Sequence, residues 1–442
     1  MVTRTRHLAV LSVSTAFAAL LVWDTADAGG FAIREQSTEG QGASFAGVAA
    51  GGAPSAMFWN PATMTQVQGR TLEVDAAIIF PRASQSGASA ITTPALGSFG
   101  FTAGLDNTGS PAFVPSSYTT WQLNDRFWFG ISVNSPFGLS VNFANPNWAG
   151  AAYGQSTSLA TYNVAPSLAF KVTDWLSVGF GVQVQYGQAN LTNFDGVTGF
   201  GSARLLLISG DGWGWGWTAG LTITPTPTTK IGVGYRSQID QEIEGSLSGG
   251  STPGAVKTTL KLPDMISVGL RQGLGAGWTV LGTFEWTNWS RIGTSVISQA
   301  SGATALSTSG AAITLPFQYS DGYFYSGGLE YALNPAWTLR AGFAYEQSPI
   351  TDLVRTPRLP DNDRYWYSVG ATNKISNRLS TDFAYSFIDV KDTSMSLSPT
   401  SGNPFYNGAV TYNGTASSHI HIISLGVKYR FDDPPSAGLI TK

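Results

Sequence analysis

The sequence predicts an all-β fold: a fourteen-stranded antiparallel transmembrane β-barrel with a small N-terminal hatch in its lumen, exported to the outer membrane of a Gram-negative bacterium. Three observations lead there. The chain starts with an export signal. Its composition is too poor in charge for an ordinary soluble domain. From Thr71 to Phe431, apolar residues alternate with small or polar ones.

Arg4, Arg6 and His7 precede an apolar stretch from Leu8 to Val22, and Ala26-Asp27-Ala28 follows as a small-x-small site. That order is a secretory signal peptide, 1–28, with cleavage expected after Ala28. Ser12, Ser14 and Thr15 interrupt the apolar stretch, which is marginal for a helix of roughly 20 residues crossing a bilayer. A short membrane anchor is the alternative. Charged residues make up 12% of the chain, against about 25% in globular proteins. Fifty-two Gly, 14 Trp, 16 Tyr and 24 Phe suit strands that turn tightly and face lipid. Mean hydropathy is only +0.03 because half of each strand is polar. The net charge of −3 gives no basic excess for nucleic acid. With no Cys, thiol and disulfide chemistry are absent.

Residues 29–70 contain Gly40, Gly42, Gly47, Gly51 and Gly52 and then Phe58-Trp59-Asn60-Pro61-Ala62, without a period of two. The segment is too long and too apolar for a loose tail and is expected to plug the barrel. The barrel itself is expected over 71–431. Leu72, Val74, Ala76, Ile78 and Phe80 share one face, while Glu73 and Asp75 share the other. Leu176, Val178, Phe180, Val182 and Val184 repeat the pattern, as do Ile423, Leu425, Val427 and Tyr429. A soluble sandwich alternates too, but here the apolar face ends in aromatics and the other face carries Gly, Ser, Thr and charge. Strand starts are predicted near residues 71, 113, 126, 158, 174, 212, 229, 256, 277, 318, 336, 362, 378 and 417. Asn124-Asp125, Thr173-Asp174, Asn334-Pro335 and Ser376-Asn377 are turn residues for short connections. The alternate connections, such as 83–112, 192–211 and 292–317, are long. Short turns belong in the periplasm and long loops outside, which leaves both termini periplasmic. Residues 432–442, opening with Asp432-Asp433-Pro434-Pro435, read as a periplasmic tail.

These residues resemble the FadL-like outer-membrane transporters of long-chain fatty acids and other hydrophobic compounds. The likeness spans nearly all of the mature chain. It is carried by Gly30-Phe31-Ala32, by Phe58-Trp59-Asn60-Pro61-Ala62, by Ser135-Pro136-Phe137-Gly138-Leu139, and by the run from Trp337 to Asp392 with TPRLPDNDRYWYSVGA at its centre. The resemblance implies capture of a hydrophobic molecule by outer loops, binding inside the barrel, and lateral release through a kink in the third strand. It implies an N-terminal gate at Gly29, Gly30 and Phe31, and a hatch motif at Asn60, Pro61 and Ala62. The kink would be Asn134, Ser135, Pro136, Phe137 and Gly138.

The kink has a physical basis of its own. Pro136 removes a ladder donor and Gly138 supplies freedom to bend, although a strand may also simply end at a proline. Asn60 is expected to hydrogen-bond backbone groups at the interrupted ladder; a plain Asn-Pro turn is the alternative. Leu205, Leu206, Leu207 and Ile208 form an apolar run in an expected outer loop, read as a capture surface or as a strand extension. Trp213, Trp215 and Trp217 read as an outward girdle. By parity Arg236, Arg271, Glu285, Glu330, Arg340, Glu346, Arg364 and Lys374 face the lumen. Arg340 and Arg364 are the candidates for a substrate carboxylate, against the alternative that lumenal charges pair with one another.

Enzyme chemistry is not expected. After signal removal His419 and His421 remain, both pointing outward, with neither a third metal ligand nor a triad partner. No cofactor or metal is expected. An open diffusion porin is opposed by the plug, and a structural barrel or adhesin is the weakest rival. Expected partners are a long-chain fatty acid or another hydrophobic molecule, with aromatic hydrocarbons as the second substrate class. The bilayer, lipopolysaccharide and the barrel-assembly machinery complete the list, around a monomer.

Overall fold

The computed structural model describes residues 30–93, 97–106, 110–143, 148–194, 205–248, 253–300 and 313–432. The export signal, Gly29 and the tail after Asp432 lie outside the described residues. Fourteen barrel strands are numbered in chain order, several in two segments. They are β1 (Arg70–Thr93), β2 (Gly97–Asp106 and Ala112–Gln122), β3 (Phe127–Asn134 and Gly138–Asn142), β4 (Ser156–Lys171) and β5 (Leu176–Phe194). Then come β6 (Leu205–Thr226), β7 (Thr229–Arg236 and Ile239–Ser248), β8 (Gly254–Leu262 and Met265–Gly275), β9 (Trp278–Thr287 and Ser295–Gln299) and β10 (Ile313–Leu315 and Gly322–Asn334). The last four are β11 (Trp337–Gln347), β12 (Arg364–Lys374), β13 (Leu379–Leu397) and β14 (Val410–Arg430). Each pairs antiparallel with its neighbour in sequence, and β14 returns to β1 from Thr71↔Arg430 to Ile91↔Val410. The sheet closes into a barrel, the form a strand protein must take in hydrocarbon.

Alternation sets the two faces. Leu168, Phe180, Tyr367, Val369, Leu425 and the three tryptophans Trp213, Trp215 and Trp217 are exposed on the outer wall. Their chain neighbours, such as Ser167, Thr218, Ser368 and Ser424, are buried inside. The turns at one end use the side chains that the sequence marks. Asn124 Oδ1 accepts from the N–H groups of Arg126 and Phe127, and Asn334 Oδ1 accepts from those of Ala336 and Trp337. Thr173 Oγ1 accepts from Leu176 and Ser376 Oγ from Arg378 and Leu379. Arg70 and Arg430 lie at that same end.

Among the described residues, strands extend into the expected long connections. β1 runs to Thr93 and forms a hairpin with Gly97–Asp106. β6 begins at Leu205, so Leu205, Leu206, Leu207 and Ile208 belong to a strand, paired with Phe194, Asn193, Thr192 and Leu191. These extensions rise beyond the bilayer, where neither face has to be apolar and the alternation that betrays a strand is lost.

Residues 30–66 fill the lumen with short turns: a helix α1 (Thr38–Gln41) capped by Ser37, and 3-10 turns at Val48–Ala50, Pro54–Phe58 and Pro61–Gln66. Phe45, Val48, Met57, Phe58, Trp59 and Met64 pack with Tyr118, Trp128, Phe324 and Trp366 of the wall. The Gly residues of the inner face let the two backbones touch. A Cβ on Gly234 would lie 1.8 Å from the carbonyl oxygen of Trp59, and one on Gly232 would lie 1.8 Å from that of Ala49. Buried polar ties fix the rest. Ser55 N and Oγ donate to Glu73 at 2.7 and 3.0 Å, and Thr38 N donates to Asp75 at 3.3 Å. Glu39 pairs with Lys428, and with Arg340 at 3.5 Å.

Gly234→Val therefore drives a methyl-bearing carbon into the hatch backbone while leaving the outer face of β7 unchanged. The expected result is a barrel that inserts and resists boiling-free denaturation as before, but in which residues 30–66 become sensitive to protease. Wild-type resistance in this variant would show that the hatch does not depend on this contact.

Candidate functional site

The third strand is broken where the sequence places a break. β3 pairs with β4 from Phe127↔Phe170 to Asn134↔Asn163, then resumes at Gly138↔Ala160. On its other side β3 pairs with β2 only from Gln122↔Trp128 to Ser117↔Val133. Beyond Val133 the ladder between β2 and β3 is open, because Pro136 carries no N–H and turns the chain inward.

The N-terminal arm occupies that opening. Ile33 N donates to Pro136 O at 2.8 Å and Gly138 N donates to Phe31 O at 2.9 Å, which makes Ala32 and Phe137 an antiparallel bridge. Gln36 completes the repair: its Nε2 donates to Ser135 O at 2.9 Å and its Oε1 accepts from Ser135 N at 3.4 Å. Phe31 meets Trp289 and Phe137 edge-on at 4.7 and 6.3 Å. Tyr118 of β2 donates to Gln36 O and accepts from Asn134 Nδ2 at 2.7 Å. Of the expected gate, Gly30 and Phe31 are at the opening, with Gly30 N donating to Asp361 at 3.1 Å.

Asn60 does something other than expected. Its Nδ2 donates to Ala49 O at 2.7 Å and to Leu221 O of β6 at 2.9 Å, and its Oδ1 caps the turn by accepting from Ala62 N at 3.0 Å. Asn60, Pro61 and Ala62 thus tie the hatch body to β6 and do not reach the kink. The ladder-repairing amide is Gln36, which the sequence reading overlooked. Its signal was Arg34-Glu35-Gln36, three long polar side chains in an otherwise small and apolar segment.

The bridge lies between two cavities. The outer one, about 270 Å³, is lined by Phe31, Leu139, Leu159, Ile208, Leu260 and Arg358 among others, and is mostly apolar. The inner one, about 70 Å³, is lined by Ile33, Pro136, Phe137, Arg236, Met265 and Glu346 among others. The outer volume approaches the lower end of ligand pockets, roughly 300 Å³. Of the expected capture run, Ile208 reaches the outer cavity.

Neither Arg340 nor Arg364 borders either cavity. Arg340 Nε is 2.9 Å from Glu330 and its Nη1 donates to Thr372 at 2.6 Å; Arg364 pairs with Asp361 and lies 3.9 Å from Glu346. Both guanidiniums are held by carboxylates, the mutual pairing of lumenal charges that the sequence favours over a role in substrate binding. Arg271 and Glu330 pair at 3.0 Å in the same way, while Lys374 is exposed at the end of β12. Two other arginines line the cavities and, among the described residues, have no carboxylate within ion-pair distance. Arg358 donates to Ser156 O at 3.0 Å, to Thr192 O at 3.2 Å and to Thr157 Oγ1. Burial pulls its guanidinium down to about 10, so it is charged at neutral pH. Arg236 donates to Phe58 O at 3.0 Å and to Gln183 Oε1. Parity marked Arg236 as inward; nothing in the sequence separated Arg358 from its neighbours.

Residues 19–431 match the family described as outer membrane protein transport protein (OMPP1/FadL/TodX). The long-chain fatty acid transport protein of Escherichia coli K12 is 26% identical over 88% of this chain and 93% of its own length. Outer membrane protein P1 of Haemophilus influenzae is 28% identical over 94% and 98%. Among solved structures, a Pseudomonas aeruginosa FadL homologue superposes with a TM-score of 0.80 at 24% identity, over 92% of this chain and all of that one. The Ralstonia pickettii toluene transporter TbuX gives 0.64 at 22% identity, over 90% of this chain and all of that one. The chain therefore belongs to the OMPP1/FadL/TodX family of outer-membrane transport proteins, which carry hydrophobic compounds across the Gram-negative outer membrane.

Proposed function

We propose that this chain takes up long-chain fatty acids, holds them in the outer cavity by the carboxylate, and releases them sideways through the opening at β3. The observation that carries the reading is Arg358: a charged guanidinium without a carboxylate partner at the edge of an apolar cavity. A fatty acid offers the complement, an apolar chain for the walls and one anion for the arginine. Arg236 at the inner cavity is a second such cation, a short step further along the route. Lateral release is supported by the arm: residues 31–33 fill the wall through two backbone hydrogen bonds, and the groups they would release, Pro136 O and Gly138 N, would then line an opening filled by substrate or water. In this reading residues 29–70 are the hatch, of which 29–36 are the gate and the remainder stays in place.

Uptake of aromatic hydrocarbons is the second reading. It is favoured by the aromatic part of the outer cavity, Phe31, Phe317, Tyr319 and Phe405, which gives a neutral ring many contacts. The two readings differ over Arg358. If the carboxylate is recognised, Arg358→Ala weakens fatty-acid binding by roughly tenfold or more, the value of a charge-assisted hydrogen bond. Binding of the fatty alcohol of equal length stays unchanged. Calorimetry on the purified protein checks this, and an equal loss for acid and alcohol would favour the hydrocarbon reading.

The exit is testable separately, since the chain has no cysteine of its own. Ala32 and Phe137 face each other between the two hydrogen bonds of the bridge, a non-hydrogen-bonded pair with close Cβ atoms. An Ala32→Cys/Phe137→Cys disulfide is expected to abolish uptake into cells while leaving ligand binding intact, with recovery on reduction. Undiminished uptake by the oxidised protein would refute lateral release at β3.

A further inference from the structure

Glu35 is the buried carboxyl beside the gate that the ion pairs leave out. It is 3% exposed and follows Ile33 by two residues. Its Oε2 has no hydrogen-bond partner among the described residues. The charged groups that face it come from every neighbouring element. Arg34 of the arm is bound to Glu285 of β9 at 2.8 Å and lies 3.7 Å from Glu346 of β11. Arg364 of β12 pairs with Asp361 of the preceding loop and lies 3.9 Å from Glu346. From β2, Tyr118 presents a hydroxyl to Gln36. Arg34 and Arg364 thus already serve three carboxylates, and Arg236 of β7, which lines the cavity that Glu285 and Glu346 share, is the one further cation there among the described residues. An ionised Glu35 would add a fourth anion with no cation of its own, in a site with little water.

We propose that Glu35 is a proton-controlled positioning residue for the arm: neutral, it lets residues 31–33 dock on the broken third strand; ionised, it drives them off and opens the wall. The proposal rests on the reading of the arm as a gate. Burial pushes the Glu35 carboxyl up to about 7, with Glu346 adding to the rise while its own backbone N–H and the two arginines oppose it. The direction of the pH effect follows from linkage. With the arm undocked the carboxyl meets water and has its ordinary value, so the docked state binds the proton more tightly. Docking is therefore strongest below the ordinary carboxylate value. It weakens by at most about tenfold per pH unit as pH rises to about 7, and is flat above.

A nitroxide on Ala32→Cys in the full-length protein in detergent reports the docked fraction directly. The expected spectrum is immobilised at pH 5, increasingly mobile up to about pH 7 and unchanged from there to pH 8; with Glu35→Gln added, it stays immobilised throughout. The same spectrum at both pH values in the Glu35 protein, or unabated mobility at pH 8 in the Glu35→Gln protein, would overturn the proposal. Should the label itself prevent docking at pH 5, hydrogen-exchange protection of the Ile33 and Gly138 amides in the unlabelled chain decides in the same terms. Protection lost between pH 5 and pH 8 only when Glu35 is present supports it; protection independent of pH or of Glu35 refutes it. Neither readout depends on transport, so a failure of the uptake reading would be seen separately.

Discussion

Everything in this barrel turns on the pairing of backbone groups in hydrocarbon. An unpaired N–H or C=O there costs several kcal/mol, so the sheet closes from β1 to β14 and each strand pairs with both neighbours. In the third strand that pairing fails over one interval. Between Asn134 and Gly138 the ladder is interrupted, and the groups it abandons are Ser135 N and O, Pro136 O and Gly138 N. All four find partners on one short stretch of the hatch: the Gln36 amide, Ile33 N and Phe31 O. The opening in the wall and the extended arm are therefore a single feature. The arm is extended because a broken strand is what it pairs with, and the broken strand is tolerable in the membrane because the arm is there.

The rest of the hatch is held by different means. Between Thr38 and Gln66 its backbone lies against inner-face glycines, and its ties are buried: Glu39 to Lys428 and Arg340, Ser55 to Glu73, Asn60 to Leu221 O. Removing one partner of a buried ion pair strands the other charge at a cost of about 3–5 kcal/mol. The arm has its two bridge hydrogen bonds, the Gln36 amide on Ser135, Tyr118 and Ser116 on Gln36 O, Gly30 N on Asp361, and Arg34 between Glu285 and Glu346. The arm pairs its backbone with the break in the third strand while the hatch body lies against unbroken strands, and the gate proposed above requires the arm alone to move.

The strands within the bilayer could be read from the sequence because lipid imposes one apolar face and the hatch one small or polar face, a period of two that few other environments enforce. Leu176 to Tyr186 is the clearest case. The turns could be read because Asn124, Thr173, Asn334 and Ser376 bond to their own following N–H groups, a local property. The extension of β1 to Thr93 and the start of β6 at Leu205 could not, since above the membrane both faces meet water or other loops. Partners of inward residues were also hidden. Parity says that Arg340 and Arg364 point inward; it does not say that Glu330 and Asp361 already hold them. Nor does a motif say that Asn60 reaches β6 while Gln36 reaches the kink, because that depends on how a non-periodic segment folds across the lumen.

That hidden pairing bears on which cations can take part in transport. Arg340 and Arg364 are already neutralised by Glu330 and Asp361, so a substrate carboxylate there would be a further buried anion on a cation that is already paired. Arg358 and Arg236 carry no such penalty: their present partners are backbone carbonyls, a hydroxyl and an amide, all of which can share a guanidinium's several donors with an incoming anion. They stand at the outer and inner cavities, with the Ala32–Phe137 bridge between them. On the route proposed above, an acid would therefore meet an arginine without a carboxylate partner, among the described residues, at each of the two cavities. Whether an inward arginine here can take an anion is thus fixed less by where it points than by whether the hatch and the strands already hold it.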